Sequence, residues 1–244
     1  MARVIEGYLD IDGVQLRARE QGEGIPVILT PGGPGCCDYL GPVAELMQDH
    51  ARVIRWEPRG CGESDQVGPY DVETTLADMD RIRQLYGFEQ WIVGGHSQGA
   101  FYALAYALTY PEHTLGVIYL AGRGVLRDRG WHIEYSDRRD LEGELEPDYA
   151  FPHNMEVNRE GTASEAEWCR DPMLLKNLSQ LDVPLMAIQG GKDIRPGWPA
   201  EQLVNLLPNA SMVTLPEAGH ALWLTHADTM KSMLNAFVVG LTPQ

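Results

Sequence analysis

The segment Gly95-His96-Ser97-Gln98-Gly99 constrains this chain more than any other stretch. It joins an apolar run, Trp91-Ile92-Val93-Gly94, to a helix-forming run from Ala100 to Leu108. A G-x-S-x-G segment between a strand and a helix predicts a nucleophile elbow, a turn so tight that its serine takes a strained backbone conformation. The strain lifts the hydroxyl clear of the sheet. Side chains two residues to either side would collide, which accounts for Gly95, Gly99 and the small Ala100. The helix that follows aims its first N–H groups at the place where negative charge develops on a reacting carbonyl. A five-residue pattern with three fixed positions also arises by chance on loops; the strand before and the helix after give this one its meaning.

Around the elbow, strands alternate with helices. Val4 to Leu9, Asp12-Gly13 and Val14 to Arg19 read as a hairpin with a two-residue turn. Strands follow at Ile25 to Leu29 and Arg52 to Trp56, with a helix over Tyr39 to Gln48 between them. Val72, Leu76, Met79, Ile82 and Tyr86 recur at helical spacing, and Gly87 closes that helix. Leu115 to Ala121 is a further apolar strand. From about Gly122 to Gln180 the strand pattern stops and charge accumulates, with Arg138-Arg139-Asp140 and many glutamates. The rhythm resumes with a strand over Pro184 to Gly190, a helix near Trp198 to Leu207, a strand from Ser211 to Leu215 and a helix from about Ala227 to Val239. This alternation predicts an α/β fold with a mostly parallel sheet covered on both faces. Residues 1–122 and 181–244 form its core, and 123–180 a short helical cap insertion. The aromatic residues Trp131, Tyr135, Tyr149, Phe151 and Trp168 speak against reading that insertion as a disordered linker, because such side chains need burial.

At 244 residues the chain can bury a full core. Its formal net charge of −16 disfavours nucleic acid and anionic membrane as partners. The apolar runs are too short and interrupted to span a bilayer, and Met1 to Gly7 lacks the apolar segment of a secretory signal, so the expected location is cytoplasmic. Cys36, Cys37, Cys61 and Cys169 have neither a disulfide framework nor zinc spacing, and Cys36 and Cys61 compete only weakly with the serine as nucleophile.

A serine hydroxyl is a poor nucleophile until a base takes its proton, and an acid must orient that base. With an elbow of this kind the chain order is nucleophile, acid, base. After Ser97 the sequence offers Asp193, in Gly190-Gly191-Lys192-Asp193, and His220, in Ala218-Gly219-His220. Both follow predicted strand ends, where parallel sheets place their sites. The strand ending at Ala121 runs into Gly122-Arg123-Gly124 without a carboxylate, and Asp182 precedes its strand. His96 reads as a packing or scaffold residue, and His50, His113, His226, His132 and His153 as solvated or pocket-lining ones. Two fixed N–H donors are needed for an oxyanion hole; Gln98 supplies one, and Gly33 in Gly32-Gly33-Pro34-Gly35 the other. Trp131, Trp168 and Trp223 are the expected walls of the substrate pocket. No cluster has metal-ligand spacing and no glycine run has a phosphate or dinucleotide fingerprint, so neither metal nor cofactor is expected.

Pro31-Gly32-Gly33-Pro34-Gly35, Glu57-Pro58-Arg59-Gly60-Cys61-Gly62-Glu63-Ser64, the elbow, Gly191-Lys192-Asp193 with Pro196, and Gly219-His220 together resemble the α/β-hydrolase superfamily, in its proline iminopeptidase-like branch. The resemblance implies the α/β-hydrolase fold and a Ser97–His220–Asp193 serine hydrolase acting on a small ester, amide or short peptide. Departures are Pro31 where the branch usually has histidine, His96 and Gln98 in place of a Gly-Gly-Ser-Trp-Gly elbow, and a shorter cap. In typical members cap glutamates grip the substrate's free amino group; Glu134, Glu142, Glu144, Glu146, Glu156, Glu165 and Glu167 are the choices here. Carbon–carbon bond hydrolysis or perhydrolysis with the same triad is an alternative reaction. A ligand-binding receptor or regulator on this fold is the alternative of another class.

Overall fold

The computed structural model describes residues 4–126, 129–139 and 153–241. Strands β1 (Ile5–Ile11) and β2 (Val14–Gln21) form the expected hairpin, with Asp12 and Gly13 both at positive φ, as a two-residue turn of matching twist requires. They lead into β3 (Ile25–Thr30), β4 (Ala51–Trp56), β5 (Trp91–His96), β6 (Thr114–Leu120), β7 (Leu185–Gly190) and β8 (Ala210–Leu215). The eight strands form one sheet in the order β1-β2-β4-β3-β5-β6-β7-β8. Pairing is antiparallel from β1 to β4 and parallel from there on.

Because successive strand residues face opposite sides, the continuous apolar runs feed two cores at once. Ile28, Val93, Val117 and Ala187 face one, which is closed by α2 (Val72–Leu85), α3 (Gln98–Thr109) and α7 (Trp198–Leu206). Val27, Leu29, Ile92, Ile118 and Ile188 face the other, closed by α1 (Gly41–Met47) and α8 (Trp223–Gly240). Asp71 starts α2 by accepting a hydrogen bond from the Thr74 amide (2.7 Å), so the helix begins where the periodicity does.

Between β6 and β7 lie α4 (Arg129–Arg139), α5 (Met155–Trp168) and α6 (Leu174–Leu178), helical as the sequence suggests. Tyr149, Phe151, Glu142, Glu144 and Glu146 fall outside the described residues. The last helix starts earlier than its periodicity suggests. One turn from Trp223 precedes His226, which leaves helical conformation (φ −130°, ψ 33°), and the regular helix runs on from Ala227.

Candidate active site

Ser97 stands between β5 and α3 with φ 58° and ψ −114°, the left-handed strain expected of an elbow. The glycines are steric necessities. A Cβ on Gly95 would lie 2.2 Å from the Gly99 carbonyl, and one on Gly99 would lie 1.9 Å from the Thr30 carbonyl oxygen of the neighbouring strand. The Ser97 amide donates to Leu120 O on β6 (2.8 Å), which locks the turn to the sheet. Gln98 is the first helical residue, so its N–H has no carbonyl partner within α3.

After β7 and β8 the chain brings Asp193 and His220 together. His220 Nδ1 donates to Asp193 Oδ2 at 2.6 Å, and both side chains are buried. The other Asp193 oxygen accepts from the Arg195 amide (2.9 Å) and guanidinium (3.1 Å), while Arg138 on α4 donates to its backbone carbonyl (3.1 Å). Burial alone would push the Asp193 carboxyl up; the facing His220 and Arg195, with their hydrogen bonds, outweigh it and hold the group down at about 2. His220 also reaches the elbow. Its carbonyl accepts from His96 Nε2 (2.9 Å), and the two imidazole centroids lie 4.3 Å apart. Ser97, Asp193 and His220 therefore sit at the C-terminal margin of β5, β7 and β8, where open parallel sheets gather functional loops.

The glycine loop completes this margin. Gly33 has φ +131°, and a Cβ there would lie 2.8 Å from the Cys36 amide, so only glycine fits. A Cβ on the preceding Gly32 would lie 2.8 Å from that of Ser97, which places the loop directly against the elbow.

Residues 25–180 match the family model of the alpha/beta hydrolase fold. The chain belongs to the α/β-hydrolase family. It is 34% identical over 124 residues to the proline iminopeptidase of Neisseria gonorrhoeae, a stretch covering 46% of this chain and 38% of that protein. With the proline iminopeptidase of Heyndrickxia coagulans it shares 37% over 126 residues, 47% of this chain and 42% of the relative. The aligned stretch thus spans well under half the length of these relatives. A thermophilic esterase from Thermogutta terrifontis superposes with a TM-score of 0.78 over 98% of this chain and 100% of its own; at 19% identity that likeness concerns the fold.

Within this α/β-hydrolase-family fold the expected pocket tryptophans take different places. Trp131 on α4 lines a cleft of about 520 Å³ with Arg123, Leu126, Thr162 and Cys169. Arg123 links that cleft to the elbow by donating to Gln98 Oε1 (2.5 Å) and to Glu165 Oε2 on α5 (3.0 Å). Trp168 packs edge-on against Phe101 (5.1 Å) beside the core, and Trp223 is buried against Tyr39 and edge-on to His96 (5.0 Å). Neither lines the cleft that holds Trp131. Cys36 and Cys61 are buried, and burial pushes both thiols up to about 12, the environment of inert cysteines; Cys36 Sγ faces His153 Nε2 at 3.0 Å. Among the described residues no group of His, Cys, Asp and Glu is arranged to hold a metal ion, and no helix is long and apolar enough to cross a membrane.

Residue-by-residue reading does not find Tyr39, Arg195 or the Arg123–Glu165 pair. Arg195 stands two positions from Asp193, a nearness that could have flagged it. Tyr39 carries no such signal, since its partner His96 lies 57 positions away.

Proposed function

We propose that this protein is a serine hydrolase that cleaves a small ester or amide through an acyl-enzyme. Ser97 Oγ attacks the substrate carbonyl carbon while His220 Nε2 takes its proton. The Gln98 and Gly33 N–H groups hold the oxyanion, and collapse of the tetrahedral intermediate expels an alcohol or amine that leaves with the proton from His220. Water then attacks the acyl-serine by the same route in reverse, releasing the acid and restoring the hydroxyl. The observation that carries this reading is the buried 2.6 Å contact from His220 Nδ1 to an ionised Asp193. It puts the imidazole proton at Nδ1 and the lone pair at Nε2, the tautomer a general base needs.

The helices between β6 and β7 act as a cap in this reading, with the Trp131 cleft receiving one side of the substrate. The buried cap carboxylate Glu165 already carries Arg123, and Glu134 faces Arg138 and the Trp198 indole. Of the candidate glutamates among the described residues, these two are already held by a guanidinium or an indole, which favours a small ester or amide over a substrate gripped by its free amino group. Ser97→Ala should abolish both labelling by a fluorophosphonate probe and turnover of a p-nitrophenyl ester. Labelling that survives the substitution would transfer the chemistry to another nucleophile. Wild-type turnover of proline naphthylamide above that of short-chain esters would reverse the substrate preference.

A further inference from the structure

We infer that His96 is a positioning residue: held in one neutral tautomer between Tyr39 and the His220 carbonyl, it ties the glycine loop and the base-bearing loop to the elbow. The catalytic consequence rests on the serine-hydrolase reading above; the geometry does not.

A single string of hydrogen bonds runs through the site. Gly32 N–H lies 2.8 Å from Tyr39 Oη, Tyr39 Oη lies 2.7 Å from His96 Nδ1, and His96 Nε2 lies 2.9 Å from the His220 carbonyl. The two ends set the direction of every proton. An amide N–H only donates, so Tyr39 Oη accepts from Gly32. A carbonyl only accepts, so His96 Nε2 carries a hydrogen. A neutral imidazole has one N–H, which leaves Nδ1 bare to receive the Tyr39 hydroxyl proton.

The surroundings oppose a second proton on the ring. His96 is fully buried, with the His220 ring at 4.3 Å, the Trp223 edge at 5.0 Å and the Tyr39 ring at 5.6 Å. The titratable and charged groups around it are His220 and Tyr39 in contact, with Asp193 and Arg195 beyond. Among the described residues no carboxylate touches the ring to share a positive charge, and burial followed by the neighbouring His220 pushes its titration well below the ordinary histidine range.

The consequence is mechanical. Gly32 lies against Ser97, and the His220 carbonyl belongs to the residue whose imidazole is the base. Both loops hang from one ring, and that ring is adjacent to the nucleophile in the chain. A displacement of either loop by 1 Å would cost on the order of 10²-fold in rate.

Three measurements on the full chain test this. Nitrogen-15 spectra of labelled histidine should show His96 as the neutral Nε2–H tautomer from pH 5 to pH 8. Tyr39→Phe should lower kcat on a p-nitrophenyl ester by roughly 10- to 100-fold, with KM changed by less than about threefold. His96→Phe should do at least as much, whereas His96→Gln, whose amide N–H reaches the same carbonyl, should recover most of the rate. If Tyr39→Phe does not fold, the Gln-against-Phe comparison at position 96 decides. A His96 ring that titrates near pH 6.5, an Nδ1–H tautomer, or equal rates for the Gln and Phe variants would overturn the assignment. If the wild-type protein turned over no ester and resisted fluorophosphonate, the hydrolase reading would fall, while the tautomer spectrum would still decide the role of His96.

Discussion

Asp193 accepts hydrogen bonds from His220, the Arg195 amide and the Arg195 guanidinium, and these outweigh its burial. A carboxyl held at about 2 is ionised throughout the neutral range, so in the proposed reaction its task is orientation rather than proton transfer. Asp193→Asn keeps the shape but can offer an N–H to Nδ1, which drives the imidazole proton to Nε2 and removes the base. We expect kcat to fall by about 10⁴ with the circular dichroism spectrum unchanged. A loss below tenfold would mean that another acid orients His220. The elbow, in contrast, was legible residue by residue. Its requirement is steric and local, so Gly95, Ser97 and Gly99 announce it within five positions. Asp193 and His220 were legible through their order and their places after strand ends. Tyr39 was not, because its hydrogen bonds to Gly32 and His96 exist only once β3 and β5 lie side by side.

Helix α5 shows the same division among elements. Its N-cap, Asn154, accepts from the amides of Glu156 and Val157, while its side-chain amide donates to Gly60 O and Gln66 Oε1 and its backbone N–H to Gly35 O. One turn on, Asn158 Nδ2 donates to Pro34 O at 3.0 Å. The start of the helix is thus fastened to the glycine loop proposed to hold the oxyanion. Asn158→Ala removes one hydrogen bond worth about 1 kcal/mol, which corresponds to roughly 2–4 °C in Tm for a chain of this size. If the clamp also holds the Gly33 N–H in place, kcat should fall more than this small loss of stability suggests, by about tenfold. Parallel melts and ester assays check this; a variant with lower Tm and unchanged kcat would make the clamp purely structural. An α-helical insertion was readable from composition. That Asn154 and Asn158 both fasten to the glycine loop was not, since helical periodicity gives a face but not what it meets.

For the molecule as a whole, the buried imidazole of His96 makes stability depend on pH. Its titration lies well below the ordinary 6.5 of an unfolded histidine, so in that window the unfolded chain binds more protons than the native one. The sign follows: the contribution is full above about pH 6.5 and is lost as pH falls, with a slope approaching about 1.4 kcal/mol per pH unit. Denaturant midpoints from pH 7.5 to pH 5 should therefore decline, and should decline less steeply in His96→Gln. Parallel slopes would mean that the ring takes up its proton in the native state too.

By itself, the sequence determined the alternation of strands and helices, the elbow, and the three residues placed in order at strand ends. Each of these follows from short-range sterics or from the period of apolar positions. Only the tertiary structure decided which groups share protons: that Tyr39 bridges Gly32 and His96, that Arg123 occupies Glu165, and that Trp223 packs behind a histidine instead of lining the Trp131 cleft. Hydrogen bonds act over about 3 Å, and partners that close are set by how strands and loops far apart in the chain come to lie together.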